Sequence, residues 1–163
     1  MTTTIKQLTL EDLTLDVSQQ IHVNASVEST FAALLEQMGP GNERGAGDAM
    51  PMVLEAWPGG RWYRDLGNGA GHFWGHVQAI RSPTLLEICG PLFMSYPAVS
   101  NVQYRLAEEN GMTRLKFTHR AMGYIAHDRE IEKGWAHIES GWENLLMRIR
   151  SAAALRTVEG RGR

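Results

Sequence analysis

The alternation of apolar and polar side chains divides the chain into a small number of predicted elements. Apolar and polar positions alternate over residues 13–23, which predicts a strand with one face in water. Apolar residues at helical spacing over 27–38, after the candidate N-cap residues Asn24 and Ser26, predict an amphipathic helix. The glycine-rich residues 39–51 predict an irregular segment, either disordered or a mobile rim.

Six further strands follow, separated by turn residues such as Pro-Gly-Gly and Asn-Gly. Their predicted positions are 52–57, 61–66, 72–80, 84–89, 98–107 and 112–122. The last two are joined at Asn110-Gly111, the preferred two-residue loop of a type I′ hairpin. Centring the turn there pairs apolar with apolar residues and polar with polar residues, as a correct register requires. The predicted pairs are Leu106 with Leu115, Tyr104 with Phe117, Val102 with His119, Arg105 with Lys116 and Gln103 with Thr118.

A long amphipathic helix is predicted over residues 129–155, with one apolar stripe that runs from Ile131 to Ile149. We therefore expect an α+β fold: a curved antiparallel sheet of about seven strands wrapped around a long C-terminal helix, with a short helix after the first strand. Residues 12–156 form one domain in this interpretation, between an N-terminal extension (1–11) and a flexible basic tail (157–163). A helix that does not fill the hollow of the sheet would leave a cavity.

Composition narrows the classes of function. The 163 residues carry a formal net charge of −2, which is not the footprint of general nucleic-acid binding. No apolar run is long enough for a membrane span, and the first residues lack the apolar core of a signal peptide. Cys89, the one cysteine, excludes an internal disulfide, and we expect a reducing, cytoplasmic setting.

Several short segments, in their order along the chain, carry a resemblance to a known family. They are IHVNAS (21–26), PGGRW (58–62), GHVQAI (75–80), TRLKFTH (113–119) and GWENLL (141–146). With them the chain resembles the SRPBCC superfamily of helix-grip proteins, which includes START domains, polyketide cyclases and birch-pollen-allergen-like proteins. It looks most like the branch of heat-shock-protein-ninety ATPase activator homologues. Relatives usually have a second short helix where this chain has residues 39–51.

The resemblance implies a helix-grip fold with a hydrophobic cavity, but not a particular reaction, since the superfamily includes carriers, cyclases, co-chaperones and stress-response proteins. The first hypothesis is binding of a hydrophobic or aromatic small molecule between the C-terminal helix and the sheet. The alternatives are a co-chaperone-like module that stimulates a chaperone ATPase, and a polyketide cyclase or hydrolase. Exposed sheet edges could also support a homodimer.

The predicted ligand-binding residues combine large aromatic side chains with the inward positions of the hairpin and the helix. They are Trp62, Trp74, Tyr104, Phe117, His119, Trp135, Ile138 and Trp142. His119 and Tyr104 lie diagonally across the hairpin and are weak candidates for acid–base catalysis. The favoured alternative is that His119 is a buried histidine bonded to a backbone carbonyl.

No metal or cofactor is expected. His72 and His76 share a strand face but would lie about 13 Å apart. His127, Asp128, Glu130, Glu132 and His137 form a second cluster, at the predicted start of the long helix. The helix dipole favours negative charge there, which explains Asp128, Glu130 and Glu132 without a metal.

Three other features admit a structural explanation. Cys89 is expected to pack in the core. Gly134 and Gly141 either leave room for a ligand or let the helix bend, or else allow the sheet backbone to approach closely. The arginines near the C-terminus predict a solvated helix end; they are Arg148, Arg150, Arg156, Arg161 and Arg163.

Overall fold

The computed structural model of the chain describes residues 7–45, 47–93, 96–124 and 138–161. Within these ranges the chain forms seven strands and two α-helices, and a 3-10 turn (Glu11–Leu13) precedes the first strand. The strands are Thr14–Val23 (β1), Val53–Leu54 (β2), Arg61–Gly67 (β3), Ala70–Arg81 (β4), Leu85–Gly90 (β5), Ala98–Glu109 (β6) and Met112–Gly123 (β7); the helices are Val27–Met38 (α1) and Ile138–Arg161 (α2).

All seven strands belong to one antiparallel sheet with the order β1-β7-β6-β5-β4-β3-β2. The sheet is curved and holds the long helix α2 against one face, while α1 follows the first strand. The predicted fold class is therefore confirmed. The central hairpin has the predicted register, with Tyr104 opposite Phe117 and Val102 opposite His119. Asn110 and Gly111 both have positive φ, as a type I′ turn requires.

The core lies between the helices and the concave face of the sheet. Its fully buried side chains come from strands and helices alike; the largest include Trp62, Tyr104, Phe117, Leu34, Leu115 and Ile149. Helix α1 begins at the predicted cap, where the Ser26 hydroxyl accepts a hydrogen bond from the Ser29 amide at 3.1 Å. Buried residues on one side of α1, among them Phe31 and Leu34, join the same core.

Strand β2 is shorter than predicted, with two residues in place of six. The chain turns back early because the Glu55 amide donates to the Arg61 carbonyl at 2.9 Å. A Cβ at Gly60 would lie 1.9 Å from the Glu55 carbonyl oxygen, so this turn requires glycine.

Strand β4 contains a bulge that the alternation of the sequence does not show. Trp62 pairs with Gly75, but Tyr63 pairs with Phe73, so Trp74 is the extra residue. The bulge changes the faces of the side chains on either side of it. His72 and His76 therefore do not share a face of the sheet, contrary to the prediction from the sequence. His72 accepts a hydrogen bond from Trp74, whereas the exposed ring of His76 contacts the exposed ring of Phe73, with centroids 4.8 Å apart.

Helix α2 continues to Arg161, beyond the predicted end at 155. The predicted tail is therefore helical over residues 157–161. The Thr157 hydroxyl donates a hydrogen bond to the Ala153 carbonyl at 3.2 Å, and Arg156 pairs with Glu36 of α1, so side-chain contacts support this last part of the helix. The predicted helix residues 129–137, including Gly134 and Trp135, lie outside the described residues.

Candidate functional site

A cavity of about 440 Å³ lies beside the first turns of α2, within the range typical of small-molecule sites. Three parts of the chain form its wall: α2, the loop after α1, and an aromatic group at one end of the sheet. The lining residues are Asn42, Glu43, Arg44, Gly45, Met50, Trp62, Trp74, Phe93, Ile138, Ser140, Gly141, Trp142, Asn144, Leu145 and Arg148. Below, "the aromatic cavity" refers to this space.

Trp62, Trp74 and Phe93 form one continuous aromatic wall. The rings of Trp62 and Trp74 meet edge to face at 4.9 Å, and those of Trp74 and Phe93 at 5.7 Å. Trp62 donates its indole N–H to the Met38 carbonyl at 2.7 Å, and Trp74 donates to His72 Nδ1 at 3.1 Å. Because both indole N–H groups have protein partners, the wall presents mainly carbon to the cavity.

Trp142 closes the cavity from the helix side. Its ring lies 4.7 Å from that of Phe117 and 5.5 Å from that of His119, centroid to centroid. Trp142 lines the cavity, whereas Phe117, His119 and Tyr104 do not. The three sheet residues predicted to bind ligand are therefore fully buried in the core, where Phe117 and His119 contact Trp142 and Tyr104 contacts Phe117. The structure brings Trp62, Trp74, Ile138 and Trp142 together at the cavity, and Trp135 lies outside the described residues.

His119 is held by two side chains rather than by the expected backbone carbonyl. Trp142 donates its indole N–H to Nδ1 at 3.0 Å, and Nε2 lies 2.8 Å from the Ser100 hydroxyl. An indole nitrogen can only donate, so Nδ1 must be the unprotonated acceptor. The neutral ring therefore carries its proton on Nε2 and donates it to Ser100.

This tautomer rules out the use of His119 as a base toward Ser100, because the nitrogen facing the hydroxyl already holds a proton. Both residues are also buried, with 0% and 1% of their surfaces exposed. Burial lowers the pKa of His119 from 6.5 to about 4, since an imidazolium would lose its hydration there. Through its hydrogen bond with Trp142, His119 links strand β7 to helix α2.

Tyr104 does not bond to His119, although both lie on the concave face. Its ring packs at 4.9 Å from that of Phe117, and its hydroxyl has no hydrogen-bond partner within the described ranges. Burial raises the pKa of this phenol, and the charge of Arg148 partly opposes the rise. Tyr104 is thus a neutral, buried residue, and the predicted Tyr104–His119 pair is not formed.

Arg148 is the one positive side chain of α2 that lines the aromatic cavity. It is half-buried and makes three long hydrogen bonds to neutral oxygens: 3.3 Å to Gln37 Oε1, 3.4 Å to the Gly41 carbonyl and 3.5 Å to the Glu43 carbonyl. Within the described ranges no carboxylate lies at ion-pair distance from it. Burial lowers its pKa, against the opposing effect of the Glu43 carboxylate.

Gly141 also lines the aromatic cavity. A Cβ built on it would meet no atom of the described residues within 4 Å, so none of the seven strands approaches the helix backbone there. Of the interpretations open from the sequence, close backbone approach is therefore wrong at this position. The missing side chain enlarges the space beside the aromatic wall.

Other candidate chemistry is not assembled in the described part of the chain. No group of three or more potential metal-ligating side chains occurs there, and the predicted cluster from His127 to His137 lies outside it. Cys89 is not in the core: it alternates with buried Ile88, is half-buried on the opposite face of the sheet, and accepts a hydrogen bond from Asn101 at 3.2 Å. None of the described helices could cross a bilayer.

Solved structures share this architecture at low sequence identity. A protein from Rhizobium leguminosarum matches with a TM-score of 0.64, 18% identity, and coverage of 86% of this chain and 95% of that chain. Ara h 8.0201 matches with a TM-score of 0.59 and 9% identity, over 86% of this chain and 98% of that chain. The di-domain ARO/CYC protein StfQ of the steffimycin biosynthetic pathway matches with a TM-score of 0.64 and 12% identity, over 91% of this chain and 53% of that chain.

These similarities show the fold, a curved antiparallel sheet that holds a long C-terminal helix. The family model described as Activator of Hsp90 ATPase homolog 1-like protein matches residues 46–154. The chain belongs to that family, as the resemblance of its segments implied. No curated protein matches the sequence significantly.

Several residues of the cavity wall were not predicted from the sequence, among them residues 42–45, Met50, Phe93 and Arg148. Arg148 was grouped with the basic C-terminal residues, but it follows Leu145 by three positions, so it continues the inward side of the helix. A charged residue on the otherwise apolar side of the helix is the feature of the sequence that could have identified Arg148. Phe93 carried no such signal, since it lies in a turn after β5, next to Leu92 with φ of 56°.

Proposed function

We propose that this protein binds a hydrophobic or aromatic small molecule, without covalent chemistry, in the aromatic cavity. The observation that carries the proposal is the cavity itself. Trp62, Trp74, Phe93 and Trp142 line it, and the indole N–H groups of the three tryptophans are all bonded elsewhere. A guest therefore meets ring carbons, which favour burial of apolar and aromatic surface.

The test is a titration with N-phenyl-1-naphthylamine, an uncharged dye whose emission rises in apolar surroundings. We expect saturable binding of one dye per chain. Trp74→Ala should weaken it about tenfold, because it removes the ring between Trp62 and Phe93. Gly141→Leu should weaken it as well by filling the cavity, and it changes no core residue.

Trp57→Ala is the matched control, since Trp57 is 57% exposed and does not line the cavity. It should leave dye affinity unchanged. Urea denaturation of each variant identifies any that loses binding by unfolding. Absence of saturable binding to the parent protein, or equal losses in the Trp57 and Trp74 variants, would remove the proposal.

A co-chaperone role is the second candidate, favoured by the match to the activator family over residues 46–154. It predicts that the purified protein raises the ATPase rate of an Hsp90-type chaperone from the same host. An unchanged rate together with no complex in analytical centrifugation would exclude it. This outcome is independent of dye binding.

Similarity to an ARO/CYC protein is compatible with a cyclase-type role. We assign no catalytic step to Tyr104 or His119, because both are fully buried and neither lines the aromatic cavity. The proposed function is therefore binding, and the residues that carry it are the aromatic residues of the cavity wall: Trp62, Trp74, Phe93 and Trp142.

A further inference from the structure

The aromatic cavity contains a cation, Arg148, whose charge is not neutralised by contact with any carboxylate in the described part of the chain. The Arg148 guanidinium reaches the cavity wall from α2, and its hydrogen-bond acceptors are an amide oxygen and two backbone carbonyls at 3.3–3.5 Å. Bonds between a guanidinium and a carboxylate are typically shorter and stronger than these. Arg148 thus keeps donor capacity and charge at the edge of an apolar space.

Glu43 is an acidic residue that also lines the cavity, and its charge acts on Arg148. Its carboxylate does not pair with Arg148 but accepts a hydrogen bond from the Gly47 amide at 3.1 Å. The Arg44 side chain, which also lines the cavity, is paired with Asp48 at 2.8 Å. Of these two arginines, only Arg148 therefore lacks a carboxylate at contact distance.

Resting on the proposed function, we infer that the natural guest is an aromatic or hydrophobic acid, whose carboxylate binds Arg148 while its apolar body lies against Trp62, Trp74 and Phe93. A planar guanidinium can give a carboxylate two parallel hydrogen bonds, which a neutral amide cannot match. The low polarity of the wall strengthens this pairing relative to water. The cavity then selects both the shape and the charge of its guest.

The test compares two ligands of nearly equal shape, 2-naphthoate and 2-naphthamide, as competitors of bound N-phenyl-1-naphthylamine. We expect the parent protein to bind the carboxylate about tenfold more tightly than the amide. Arg148→Gln should remove that preference by weakening 2-naphthoate about tenfold, with 2-naphthamide and the dye changed less than twofold. Arg148→Lys keeps the charge and should retain part of the preference.

Two further variants separate a binding role from a structural one. Arg150→Gln, on the exposed side of the same helix, should behave like the parent. Glu43→Gln should tighten 2-naphthoate about threefold, because it removes a negative charge beside the bound carboxylate. If Arg148 only tied the loop to α2, its loss would weaken both naphthalene ligands alike.

The possible failures are distinct. If the parent binds no dye, the proposed function fails. If the dye binds but the parent shows equal affinity for 2-naphthoate and 2-naphthamide, or Arg148→Gln changes both equally, the inference about the acid is overturned and the binding function stands.

Discussion

Protonation of His119 should make the stability of this protein depend on pH in a defined window. The folded state holds the imidazole neutral, with its pKa lowered from 6.5 to about 4 by burial. Below about pH 6.5 the unfolded chain therefore binds a proton that the folded chain excludes. The free energy of unfolding is highest above that pH and falls as the pH decreases toward 4.

The size of the effect follows from the two pKa values. At 1.36 kcal/mol for each pH unit, the interval from 6.5 to about 4 corresponds to about 3 kcal/mol lost by the time His119 is protonated in the folded state. That is a large share of the 5–15 kcal/mol typical of a small domain, so the effect should be easy to measure.

Urea denaturation, followed by tryptophan emission at several values between about pH 7.5 and about pH 4.5, measures this loss. His119→Gln removes the titrating group while keeping a donor and an acceptor. Its free energy of unfolding should start about 1 kcal/mol below that of the parent, because its hydrogen bonds to Ser100 and Trp142 are less well placed. It should then fall less steeply with decreasing pH.

His76→Gln is the control, since His76 is exposed on the other side of the β4 bulge. The fall in its free energy of unfolding toward about pH 4 should persist, because His119 is unchanged in this variant. Parallel profiles for the parent and His119→Gln would refute the reasoning, because they would show that His119 titrates alike in the folded and unfolded states.

Three substitutions test other contacts by thermal or urea denaturation. Tyr104→Phe should raise the free energy of unfolding by about 1 kcal/mol by removing a buried hydroxyl without a partner among the described residues, and a loss of stability would contradict this. Trp142→Phe should lower it by about 2 kcal/mol, because His119 Nδ1 loses its donor; an unchanged denaturation midpoint would contradict a stabilising link between β7 and α2 at this hydrogen bond. Gly141→Ala should raise it by about 0.5–1 kcal/mol, since the added methyl group meets no atom of the described residues and alanine favours the helix; a decrease would contradict this.

Sequence patterns were sufficient for the fold because the strongest of them are local. The register of the Asn110-Gly111 hairpin was correct since a two-residue turn leaves little freedom in which residues face each other. The bulge at Trp74 was not predicted, because one extra residue in a strand leaves no mark on a short alternation.

The candidate site was predicted in part. Ile138 and Trp142 line the cavity from the predicted inward side of the helix, and Trp62 and Trp74 line it as large aromatic residues of the sheet. Tyr104, Phe117 and His119 also face inward but are fully buried and do not line the cavity. Periodicity identifies the inward face of an element; it does not indicate how deep a side chain lies below the layer that covers it.

The order of apolar and polar residues was therefore enough for the elements, the pairing of the hairpin and the concave face on which the core forms. Tertiary packing alone decided that Trp142 covers His119, that Gly141 faces open space and that Arg148 enters the cavity without a carboxylate partner among the described residues. The physical reason is range: strand alternation and helical spacing are properties of neighbouring residues, whereas depth and charge pairing depend on side chains more than a hundred positions apart, such as Gln37 and Arg148.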